Sequence, residues 1–76
     1  MTEDAQIPRF GIIAVKQGFI TQTQLQEAMN MQVQEDLDGK PHRLIGSILM
    51  DSGYITVQQI TDVIKIINDR VLQVNR

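Results

Sequence analysis

Apolar and polar positions along the chain fall into helical stretches punctuated by glycine. Phe10, Ile13, Ala14 and Val15 lead to Gly18; Leu25, Ala28, Met29, Gln32 and Val33 then follow at helical spacing. A last stripe of Ile60, Val63, Ile64, Ile67, Val71 and Val74 predicts a helix reaching to about Leu72. The pattern is written twice. Residues 10–25 recur as residues 45–60, with Gly11 matching Gly46, Gly18 matching Gly53, Ile20 matching Ile55 and Gln24 matching Gln59. A unit used twice predicts a pseudo-two-fold arrangement.

The punctuation predicts what each unit is. Pro8 suits the first turn of a helix, where its missing N–H costs nothing. Gly18 is placed as a left-handed stop, with Phe19 folding back on Ile13 or Ala14. Thr21 and Gln24 then form a capping box for the next helix, stapled by Ile20 and Leu25. Gly53, Tyr54, Thr56 with Gln59, and Ile55 with Ile60 repeat every device. The stretch from Gln34 to His42, with Gly39 and Pro41, reads as a polar link that ends helical structure. The expected fold is all-α: a compact four-helix unit made of two tandem helical hairpins related by a pseudo-two-fold. Its expected layout is a single domain: a flexible N-terminus over 1–6, hairpin one over 8–34, a linker over 35–42 and hairpin two over 43–74.

Composition narrows the function. Seventy-six residues make one domain, of a size that buries only about 60% of its unfolded surface. The chain has no cysteine, so disulfides and thiolate metal sites are excluded. A net charge of −2 without a basic stripe argues against DNA or RNA as a partner. The acidic start Met1-Thr2-Glu3-Asp4 is unlike a signal peptide, and no apolar run approaches the ~18 residues of a membrane span. The expectation is a cytoplasmic protein with no membrane insertion.

Candidate chemistry lies where the pattern breaks. Gln32 sits on an apolar face and needs a hydrogen-bond partner, which a loop carbonyl at the bundle edge would supply. The first helix starts after Ile7, a poor cap, and carries Arg9, Phe10 and Gly11 in its first turns; free amides, a positive dipole end and an arginine suit an anion. The second unit opens on Lys40, His42 and Arg43 before Leu44-Ile45-Gly46. The competing reading, favoured by spacing alone, makes Arg9 and Arg43 solvated and Gly11 and Gly46 sites of close helix packing. His42 has no second ligand at metal spacing, Gly39-Lys40 lacks a phosphate loop, and Asp36 with Asp38 lacks the rest of a calcium loop. No nucleophile, base and orienting acid occur together, so the chain is read as a non-enzyme without metal or cofactor. Met29, Met31 and Met50 read as adaptable core filling. Ile66 and Leu72 widen the last stripe, which admits a homodimer through Val63, Ile66 or Val74.

Arg9-Phe10-Gly11, Val15, Gly18-Phe19-Ile20, Leu25, Met29 and Gln32 resemble the long motif of the MshEN domain. That domain is the N-terminal module of type II secretion and type IV pilus assembly ATPases, the general secretory pathway protein E family. The resemblance spans roughly residues 9–67. Phe10 replaces the motif's leucine, and Ala14 replaces a larger aliphatic residue. In the second copy Gly46 and Gly53 fit, but Leu44 stands at the arginine position, Arg43 is displaced by one residue, and Ile67 replaces the closing glutamine. The link between motifs is also longer than that of nucleotide-binding members. The resemblance implies a helical module, here without the ATPase body, that serves as an adaptor contacting a secretion or pilus component. It also implies an alternative, cyclic di-GMP as ligand, with Arg9, Phe10, Gly11, Gln32, Arg43 and Gly46 as the candidate contacts. A structural domain without ligand is the third expectation.

Overall fold

The structure, a computed structural model, describes residues 9–74, with side chains described through Asp69. The roles expected of residues 1–6, Ile7 and Pro8, and of the Val71, Leu72 and Val74 side chains, lie outside the described residues. Four helices and no strand occur among the described residues: α1 (Arg9–Lys16), α2 (Gln22–Leu37), α3 (Ile45–Asp51) and α4 (Val57–Val74). The all-α expectation is met.

The stops and starts form as their residues dictate. Gly18 takes φ 80°, its amide donates to the Val15 carbonyl at 3.0 Å, and the Phe19 amide donates to the Ala14 carbonyl at 3.0 Å. Gly53, also at φ 80°, repeats this, with its amide on Met50 and the Tyr54 amide on Leu49 at 2.9 Å. These paired bonds are the Schellman arrangement. The Gln24 amide donates to Thr21 Oγ1 at 3.1 Å, while the Thr21 amide donates to Gln24 Oε1 at 2.9 Å. Thr56 and Gln59 make the same reciprocal pair at 3.1 and 3.0 Å. Nothing lies within 4 Å of a Cβ added at Gly18 or Gly53, so alanine there is opposed by backbone conformation alone. Each substitution is expected to cost about 1 kcal/mol, read as a lower urea midpoint at unchanged m-value.

The linker is shorter than expected. Glu35, Asp36 and Leu37 continue α2, which stops at a third Schellman turn: the Gly39 amide donates to Asp36 at 3.1 Å and the Lys40 amide to Glu35 at 3.0 Å, with Gly39 at φ 76°. Polarity does not end a helix whose polar face meets water; the left-handed glycine does.

The core draws equally on both units. Ile13, Ala14, Ile20, Leu25 and Ala28 come from the first, and Ile45, Ile48, Leu49, Ile55 and Val63 from the second. Four of these pairs are repeat equivalents: Ile13 with Ile48, Ala14 with Leu49, Ile20 with Ile55 and Ala28 with Val63. Two equivalences fail. Phe10 and Ile60, the counterparts of Ile45 and Leu25, are only half-buried.

Packing also differs from two self-paired hairpins. α2 lies chiefly on α3, and α1 chiefly on α4, so each long helix covers the short helix of the other unit. Helices of 8 and 7 residues offer about two turns of apolar stripe. Covering that stripe from the other unit joins the two copies into one core.

Several stripe positions are corrected by this packing. Val63 is fully buried in the core and so cannot serve as a dimer contact; Ile66 is half-buried against the core, and Ile64 is the outward neighbour. Val33 on α2 faces solvent. Met29 packs on the core as expected, but Met31 and Met50 are surface residues rather than core filling.

Candidate functional site

A groove of about 590 Å³ opens where the two copies differ. Arg9 and Phe10 from α1, Gln32 from α2, His42 and Leu44 from the linker, and Ile45, Gly46, Ser47 and Met50 from α3 line it, with Ile60 and Ile64 from α4. Its origin is local. At Gly11 the missing Cβ lets the side chain of Leu25 close onto the helix, so that space is filled from within the first unit. At the equivalent Gly46 the Phe10 ring approaches instead, its Cζ 3.3 Å from where a Cβ would stand. Ile60, which corresponds to Leu25, lines the groove.

Four of the six candidate ligand contacts therefore share the groove: Arg9, Phe10, Gln32 and Gly46. Gly11 is buried against Leu25 and is absent from the lining, so its glycine serves helix packing rather than ligand approach. Arg43 is also absent from the lining, and its guanidinium is already engaged. Nε donates to Glu35 Oε1 at 3.0 Å and Nη2 to Glu35 Oε2 at 2.6 Å, a two-pronged pair. Nη1 donates to Asp51 Oδ2 at 2.6 Å, and Nη2 approaches the Met31 sulfur at 3.8 Å. Glu35 and Asp51 lie in the last turns of α2 and α3, where the helix dipole disfavours a carboxylate. Arg43 bridges both ends at once, sharing its one positive charge between the two carboxylates.

Gln32 behaves as an edge residue. Its Nε2 donates to the Arg43 carbonyl at 2.8 Å, fixing the linker against α2. His42 Nδ1 stands 3.1 Å from Asp36 Oδ1 on the exposed side of the same link. Across the other joint, the Tyr54 hydroxyl donates to Glu27 Oε1 at 2.7 Å, and this bond beside a carboxylate raises the phenol above its usual range. The bonds from Arg43 hold the Glu35 carboxyl below the usual glutamate range, against a smaller opposing effect of desolvation. Arg43 is correspondingly raised by Glu35.

The sign of the pH dependence follows. A depressed folded-state pKa means the unfolded chain binds more protons, so the stabilisation from Glu35 is complete above the ordinary glutamate range and is lost as pH falls through the folded value. Glu35→Gln is expected to flatten the loss of stability as pH falls through and below the ordinary glutamate range, measured by urea unfolding across an acid series.

The features that sequence reasoning missed are Leu44 and the Arg43 clasp. Leu44 occupies the N-cap of α3 in extended conformation (φ −70°, ψ 150°), gives the helix no side-chain bond, and is 70% exposed. Both long helices use threonine at the corresponding place. A leucine at a cap position was the available signal.

No group of three or more His, Cys, Asp or Glu side chains that could hold a metal ion occurs among the described residues. No helix among them is long and apolar enough to cross a membrane. These features define an all-α domain with an apolar groove at a broken repeat. No protein-family model, curated protein or solved structure matches the chain.

Proposed function

We propose that the chain is a small MshEN-like interaction or regulatory module, an adaptor that serves type II secretion or type IV pilus machinery by engaging a protein through this groove. One observation carries the reading. Leu44 forgoes a cap worth about 1 kcal/mol and stands exposed at the groove, beside the partly exposed Met50 and Ile64. Leu44, Met50 and Ile64 together, rather than a lone exposed leucine, make the kind of apolar patch that a protein partner covers. The polar groups that a small ligand would need are largely committed within the fold: Arg43 to Glu35 and Asp51, and the Gln32 amide to the linker. The test is affinity capture with the tagged chain and its Leu44→Asp variant. A secretion or pilus component retained only by the original chain is expected. No protein lost on substitution, together with a monomeric sedimentation profile, would overturn the reading.

A second reading is cyclic di-GMP binding, favoured by the convergence of Arg9, Phe10, Gln32 and Gly46 on one groove. Under it, calorimetry with the dinucleotide gives heat at about 100 μM ligand, an affinity screen down to roughly −5.5 kcal/mol. Arg9→Ala weakens binding more than Arg43→Ala, because Arg43 is held by two carboxylates. Absence of heat removes this reading. Failure of both tests leaves a structural domain without ligand.

A further inference from the structure

We infer that the groove seats an amphipathic helix of a partner protein, with apolar side chains at i, i+3 or i+4 and i+7 in the groove and a carboxylate against Arg9. The inference rests on the interaction-module reading and names the partner's chemistry. Three observations support it. The groove lining is largely apolar, with Phe10, Ile45, Ile60 and Ile64 among its residues, and most of it comes from helices. Along the helical part of the lining an extended peptide would find no backbone edge to pair with, whereas a helix brings its backbone already satisfied. That selects helix-in-groove recognition over strand addition.

Charge then fixes the polarity of the partner. Among the described residues, the ionisable members of the lining are Arg9 and His42, and none of them is a carboxylate, although the chain carries net charge −2. Three nearby acids are already paired: Glu35 and Asp51 with Arg43, and Asp36 with His42. An exposed arginine in the lining, with no carboxylate among the described lining residues, favours an acidic residue opposite it. The third observation is the exposure of Leu44, Met50 and Ile64, at 70%, 39% and 46%. These long aliphatic and thioether side chains can repack around helical anchors.

The test is selection of a displayed library of randomised helical peptides on the full chain, followed by affinity measurement of the enriched sequences. Enrichment of an apolar i, i+3/i+4, i+7 stripe with Asp or Glu beside it is expected. Ile64→Glu and Met50→Glu, each verified as folded by circular dichroism, are expected to weaken the selected peptides at least tenfold. Arg9→Glu is expected to exchange the preference for acid into one for Lys or Arg. No enrichment, enriched sequences without stripe or acid, or binding indifferent to all three substitutions would overturn the inference. A natural partner held at the Val33 and Leu37 face, and retained by Ile64→Glu, would overturn this inference while leaving the interaction-module reading intact. Loss of that reading alone would appear as successful peptide selection with no natural partner captured.

Discussion

Leu49→Ala is expected to lower the unfolding free energy by about 3–4 kcal/mol. Leu49 is 0% exposed and lies in α3, the short helix that α2 covers. Its repeat equivalent, Ala14, is also fully buried, so the core places a large residue in one copy and a small one in the other. The substitution would make both positions alanine and leave a cavity that closely packed neighbours fill only in part. A domain of 76 residues has a total stability of only about 4–11 kcal/mol, so the loss is a large fraction of it. Urea unfolding followed by circular dichroism checks the result, and the melting temperature is expected to fall by roughly 15–25 °C. A change below about 1 kcal/mol would mean that α3 relaxes into the vacated space.

Leu44→Asp is expected to move stability and binding in opposite directions. Leu44 already has the extended backbone of an N-cap, and the α3 amides at Gly46 and Ser47 receive no side-chain bond from it. An aspartate there accepts from one of these amides and places negative charge at the helix start, a gain of about 1 kcal/mol. The same substitution removes an exposed apolar side chain from the groove lining and adds a carboxylate there, which repels the proposed partner's acid. Partner affinity is expected to fall by about 100-fold or more. Thermal melts and binding isotherms on one preparation separate the two effects. Binding that survives in a stabilised variant would detach Leu44 from any partner.

The devices that shape each unit were legible because they are local. Gly18, Gly53, Thr21 with Gln24 and Thr56 with Gln59 act within four residues of themselves, and each forms its anticipated bonds. Gly39 is equally local, yet its composition-rich surroundings read as a link, and the helix before it ran three residues further. Long-range placement was less legible. Val33, Met31, Met50 and Val63 carry apolar side chains at helical spacing, but spacing defines a stripe without saying which edge of it a neighbouring helix covers. Gln32 found the loop carbonyl that its position called for.

By itself, the sequence determined the helices, their stops and caps, and the duplication of the unit at a constant spacing of 35 residues, as from Gly18 to Gly53. Each follows from backbone conformation and hydrogen bonding between near neighbours. Only the tertiary structure decided that each long helix covers the other unit's short one, that Arg43 is committed to Glu35 and Asp51, and that Phe10 rather than Ile60 closes over Gly46. Those outcomes depend on which side chain reaches a shared space first in three dimensions. A repeat that is nearly identical along the chain becomes asymmetric once its two copies compete for one core, and the groove lies at that asymmetry.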